Sequence, residues 1–177
     1  RPPTNVGHKH VGRERLLTLV TDGAGNATES RYWNPGRTGT FSVGGLIASR
    51  FERYSVPAGA GNSIEYCAAA PTTTAGRVYM FANYDPASAP PSTEDQFADR
   101  SDVVHCAPWE CMTLKLRNSD MSREQKPIIA DSNAQDRNLT DACEIHVAVF
   151  GSSLTDTNIG TVYIGYNCNL HVQRPLP

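Results

Sequence analysis

Along "TVYIGYNCNLHV", residues 161–172, apolar and polar side chains alternate without a break. Val162, Ile164, Tyr166, Cys168, Leu170 and Val172 share one face, against Thr161, Tyr163, Gly165, Asn167, Asn169 and His171. A period of two over that length predicts a long strand, dry on one side and wet on the other, in an antiparallel sheet. The same period predicts strands in "SIEYCAA" (Ile64, Tyr66 and Ala68 inward) and in "ECMTLKLRN" (Met112, Leu114, Leu116). In "GRVYMFANYD", Val78, Met80, Ala82 and Tyr84 oppose Tyr79, Phe81 and Asn83, and in "ACEIHVAVF" Ile145, Val147 and Val149 align. "RERLLTLVT", 13–21, reads as a first strand followed by turn chemistry in "TDGAGNAT". "RYWNPGRTGTFSV" mixes turn signals with a short strand ending near Ser42.

One stretch departs from this period. In "LIASRFERYSV", Leu46, Ile47, Phe51 and Tyr54 take helical spacing, with Arg50 and Arg53 on the opposite face. Ser42 offers an N-cap, and Pro57 ends the run by disfavouring helical geometry in the residue before it. A second short helix is expected from a Ser92 or Thr93 cap to about Arg100. About seven or eight strands, no internal repeat and two short inserted helices fit a two-sheet β-sandwich, of which the jelly roll is one common form. Periodicity does not choose the topology.

Composition narrows the class. The 177 residues suit one domain, and 14 Gly, 12 Pro and only 19% charged residues suit a turn-rich β domain. A formal net charge of -2 excludes a domain that binds nucleic acid through its bulk charge. No apolar run reaches the length of a membrane-spanning helix. The five cysteines, at 67, 106, 111, 143 and 168, follow no framework spacing and read as buried free thiols in a reducing compartment. His105, Cys106 and Cys111 suggest a metal corner, but a second ligand pair at zinc spacing is absent from the sequence. There is no Gly-x-Ser-x-Gly, His-Glu-x-x-His or Gly-rich phosphate motif, so an enzyme is not expected. Residues 1–12 form a basic lead-in, with His8-Lys9-His10 as an exposed loop.

"LIASRFERYSV", then Tyr66, Pro71-Thr72 and "GRVYMFANYD" in that order, resembles the shell domain of coat proteins from small icosahedral plant RNA viruses, the tombusvirus-like and sobemovirus-like group. "NLTDACEIHVAVFGS" and "IGTVYIGYNCNLHVQRP" are similar to that family's last two strands. The resemblance implies an all-β, eight-stranded antiparallel jelly-roll sandwich over residues 13–177 with short inserted helices and no protruding domain. It implies a capsid protein that assembles with many copies of itself into an icosahedral T=3 shell around single-stranded RNA, found in the virion and assembled in the host cytoplasm. Lys9, Arg13 and Arg15 are then candidate RNA contacts, while Arg50, Arg53 and Asp85 are candidate subunit contacts. Related shells carry Tyr-Asp-x-x-Asp for interfacial calcium; here Tyr84-Asp85 is kept but Ser88 replaces the second carboxylate. The alternative class is a secreted carbohydrate-binding jelly roll, suggested by the sequons at Asn26 and Asn138.

Overall fold

The computed structural model describes residues 7–121, 124–130 and 137–174. The chain runs β1 (His8–Val20), β2 (Ala27–Tyr32), α1 (Gly44–Ala48), β3 (Phe51–Ser55), β4 (Ser63–Ala68), β5 (Arg77–Asn83) and α2 (Glu94–Ala98). It continues with β6 (Val104–Cys106), β7 (Met112–Lys115), β8 (Lys126–Pro127), α3 (Arg137–Thr140), β9 (Glu144–Phe150) and β10 (Asn158–Gln173). All strand pairs are antiparallel.

The 16-residue β10 organises the larger sheet. β1 lies along one of its edges, while β4 takes the first half of the other edge and β3 the second. β7 extends β4, and β8 extends β3. The second sheet has the order β2-β9-β5-β6. Four strands in the order β1-β10-β4-β7 facing four in the order β2-β9-β5-β6 make the eight-stranded jelly roll, to which β3 and β8 are additions. Leu19, Ile64, Tyr66, Val162 and Ile164 meet Val78, Met80, Ile145, Val147 and Val149 in the core between the sheets. No helix among the described residues is long and apolar enough to cross a membrane.

Three expectations need correction. The helix expected over 46–54 is two elements: α1 ends at Ala48, and Phe51–Ser55 is strand β3. Tyr54 fits either geometry, and the unpaired far half of β10 decides for a strand, pairing Leu170 with Tyr54 and His171 with Arg53. Leu46 and Ile47 therefore do not fill the core; they are 65% and 45% exposed. Second, the first strand starts at His8, so Lys9 and its neighbours belong to the sheet and the 1–12 lead-in is too long. Third, no strand forms near Ser42; β2 lies earlier, and Trp33 and Phe41 pack edge-on in the core, 5.3 Å apart.

The helix expected near Thr93 is present and capped as its sequence suggests. The Thr93 hydroxyl accepts from the Gln96 amide, and the Gln96 side chain accepts from the Thr93 amide. Phe97 of this helix packs with Tyr79, Phe81 and Ala148 on the outer face of the smaller sheet. That cover explains why β5 and β9 are buried on both faces, although alternation alone leaves one face wet. Beneath it Glu144 and His146 lie 3.3 Å apart, and the His146 ring stacks on Phe81 at 4.7 Å.

Candidate functional surfaces

β1 carries an irregularity that fixes which side chains meet solvent. Arg15 pairs with Tyr163, but Leu17 pairs with Val162, so Leu16 is an extra residue in a bulge. Before the bulge Lys9, Val11, Arg13 and Arg15 point outward, while His10 and Leu16 are buried. Beside them on the outer sheet face stand Tyr163, Asn167 and Asn169 of β10, Glu65 of β4 and Lys115 of β7. The result is a polar, mainly basic face made by four strands.

The three candidate RNA contacts are not equivalent there. Arg13 gives two hydrogen bonds to Glu65, at 2.6 and 3.1 Å, and lies over the Tyr163 ring at 4.0 Å. Glu65 thereby takes up much of its charge. Lys9 and Arg15 have no ion-pair partner among the described residues. Arg15 also lines an open cleft of about 300 Å³ with Thr18, Arg31, Thr38 and Ser42.

A second surface is built around α1. Ser42 does not cap this helix; Glu14, reaching across from β1, does the work. Its carboxylate accepts from the Val43 amide at 2.8 Å, the Gly44 amide at 2.6 Å, the Ser42 hydroxyl at 3.1 Å and the Tyr166 hydroxyl at 2.8 Å. Sequence reading missed Glu14 because its partners lie 28 to 152 residues away. So held, α1 presents Val43, Leu46 and Ile47 to solvent as one exposed apolar group.

Partial burial pushes the Glu14 carboxyl upward, but these hydrogen bonds outweigh it and leave the group below the ordinary glutamate range. A depressed folded pKa means the stabilisation is complete above the unfolded value, about 4.3, and is lost as pH falls through the folded one. Acid should therefore loosen α1 selectively. Glu14→Gln should cost about 2 kcal/mol at neutral pH and remove that acid dependence. Hydrogen exchange at the Val43 and Gly44 amides against pH checks this; equal protection in both chains would show that the carboxylate charge is unimportant.

The remaining candidates are dispersed. Arg50 follows α1, and its carbonyl accepts from the Arg174 amide, whereas Arg53 lies on β3; both are exposed, but not on one helix face. Asp85 is exposed in a turn closed by Asn83 and Ser88, and its carboxylate accepts from Asn138 at 3.1 Å. Asp85 brings one carboxylate, and no group of three or more His, Cys, Asp and Glu among the described residues is arranged to hold a metal. Among the described residues Asp85 therefore offers one carboxylate where a calcium ion needs several hard oxygens. His105, Cys106 and Cys111 likewise make no zinc corner: His105 faces the Tyr79 ring, and Cys106 donates to the Glu110 carbonyl. The side chains of both sequon asparagines are engaged, Asn26 with the Gly151 amide and Asn138 with Asp85.

Residues 11–175 match the model of the viral coat protein S-domain family. The chain belongs to that family. This S domain is 27% identical over 158 residues to the capsid protein of Carnation mottle virus, an alignment spanning 88% of the chain and 43% of the relative. It is also 27% identical over 130 residues to the capsid protein of Pothos latent virus, spanning 73% and 33%. It thus covers less than half the length of the curated relatives it matches. Among solved structures, Cucumber Necrosis Virus matches it with a TM-score of 0.83 and 19% identity, over 96% of this chain and 57% of its own. Tobacco necrosis virus matches with a TM-score of 0.81 and 17% identity, over 96% and 97%. The S-domain fold is shared across this group although most side chains differ.

Proposed function

We propose that this S domain forms the wall of an icosahedral T=3 shell, as part of the capsid protein of a small plant virus, with single-stranded RNA inside. Membership of the coat-protein family carries this reading. The structure adds two surfaces of suitable character: an apolar one at α1 for a neighbouring copy, and a basic one on β1 for phosphate. Assembly takes place in the host cytoplasm, and the product is the virion. The chain's role is structural, not enzymatic. Electron microscopy of the protein should show closed particles; a chain that stays monomeric at high concentration would overturn the proposal.

RNA is held by charge and not by sequence, with Lys9 and Arg15 contributing more than Arg13. Each lost phosphate contact should lower the slope of log affinity against log salt by about one. Lys9→Ala with Arg15→Ala should thus lower it by about two, and Arg13→Ala by less. A salt titration with two unrelated RNA sequences measures this, and an Arg13→Ala effect as large as half that of the double variant would contradict the role given to Glu65. In this reading Arg50, Arg53 and Asp85, all exposed, contribute to contacts between subunits. A calcium ion at Asp85 would need further oxygens from a second copy, so particle radius should respond to a chelator only if that copy supplies them.

A further inference from the structure

On the outer face of the larger sheet, beside the basic residues of β1, two thiols come together. β4 and β7 pair in constant register, from Ser63 with Lys115 to Tyr66 with Met112. One step further sets Cys67 across from Cys111. Both precede or follow an inward-facing residue, Tyr66 and Met112, so both belong to the outward face. Cys111 is exposed and Cys67 half-buried, and neither is in a disulfide.

The hydrogen-bond pattern identifies the kind of pair. The Leu116 amide donates to the Asn62 carbonyl at 2.9 Å, which makes Asn62 and Leu116 a hydrogen-bonded pair. Antiparallel pairs alternate along the ladder, so the Cys67 position, an odd number of steps away, is a non-hydrogen-bonded one. There the two backbones approach most closely, with Cα atoms about 4.5 Å apart. Disulfides span Cα separations of about 4.4–6.8 Å. The Ala68 amide points at the Cys111 sulfur at 3.3 Å, which holds that sulfur against the edge of β4.

The geometry points to Cys67 and Cys111 as a dithiol site that closes to a cross-strand disulfide by exchange with a small-molecule disulfide such as oxidised glutathione. Nothing in the shell-forming role requires this chemistry. Cys111, the exposed thiol, attacks first as its thiolate; one glutathione leaves as thiolate, and the other stays bonded to the Cys111 sulfur. Burial, and after it Glu65 and Cys111, push the Cys67 thiol up, while Arg13 opposes them, so Cys67 is the slower nucleophile and acts second. Its thiolate attacks the Cys111 sulfur and expels the second glutathione. Two cysteine thiols are oxidised and one glutathione disulfide is reduced to two thiols, so protons and electrons balance.

Cys106 is the competing partner, but it packs against the core, and its thiol donates to the Glu110 carbonyl at 3.6 Å. Burial pushes it to about 12, far from a reactive thiolate at neutral pH. The test is peptide mapping of the chain after incubation with oxidised glutathione. The wild-type chain should lose the mass of two hydrogens and yield a Cys67–Cys111 linked peptide, with the other cysteines still open to alkylation after denaturation. Cys67→Ser should instead trap a stable glutathione adduct on Cys111. A wild-type chain that keeps glutathione on Cys111, or that links Cys106 to Cys111, would overturn the assignment.

Discussion

A chain carrying Leu46→Asp and Ile47→Asp should fold to the same sandwich and fail to assemble. Both side chains are exposed in the single chain, so charging them removes no core contact. With Val43 they form the apolar group on α1, and such groups on a shell protein are where a neighbour excludes water. Two carboxylates buried there without partners would cost several kcal/mol per contact, multiplied over every copy in the shell. The expected outcome is unchanged circular dichroism and thermal midpoint with particle yield reduced at least tenfold. Normal particles from this chain would move the subunit contact away from α1.

The second large effect concerns the loop between β2 and α1. Arg37 Nε and Nη2 donate to the two carboxylate oxygens of Asp141, at 2.8 and 2.9 Å, and both side chains are almost wholly buried. This pair fastens the Trp33–Phe41 segment to the short connection between α3 and β9. Asp141→Ala removes the carboxylate that balances the charge of a buried guanidinium and should cost about 3–5 kcal/mol. Replacing both residues by leucine should cost much less, because no uncompensated charge remains. Urea unfolding of the two variants distinguishes pairing from packing: equal losses would mean that shape, not charge, holds the loop.

Some elements could be read directly from the chain, and the reasons others could not are physical. β10 was legible because one face meets the core and the other meets water along most of its length. β5 and β9 were only half legible, since Phe97, far away in sequence, covers the face that alternation leaves wet. Residues 46–54 satisfied two periods at once, and the choice rested on the free edge of β10, a tertiary fact. Of the candidate site residues, Lys9 was expected in a loop and instead lies with Arg15 on the outer face of β1, because the strand continues back to His8 along β10. Arg13 could not be foreseen as paired, because Glu65 is 52 residues on. Glu14 and the Arg37–Asp141 pair carried no local signal at all.

The extra residue at Leu16 gives β1 a parity. Before it the odd-numbered side chains face outward, and after it the even-numbered ones do. Deleting one residue there would put the first half of the strand in the opposite phase. Lys9, Arg13 and Arg15 would turn toward the core, and Glu14 would leave the Val43 and Gly44 amides without an acceptor. Substitutions at the outward odd positions disturb neither. At those outward positions drift is therefore free of the packing of the strand, whereas its length is not free: residues can be exchanged there one at a time, but gained or lost only in twos.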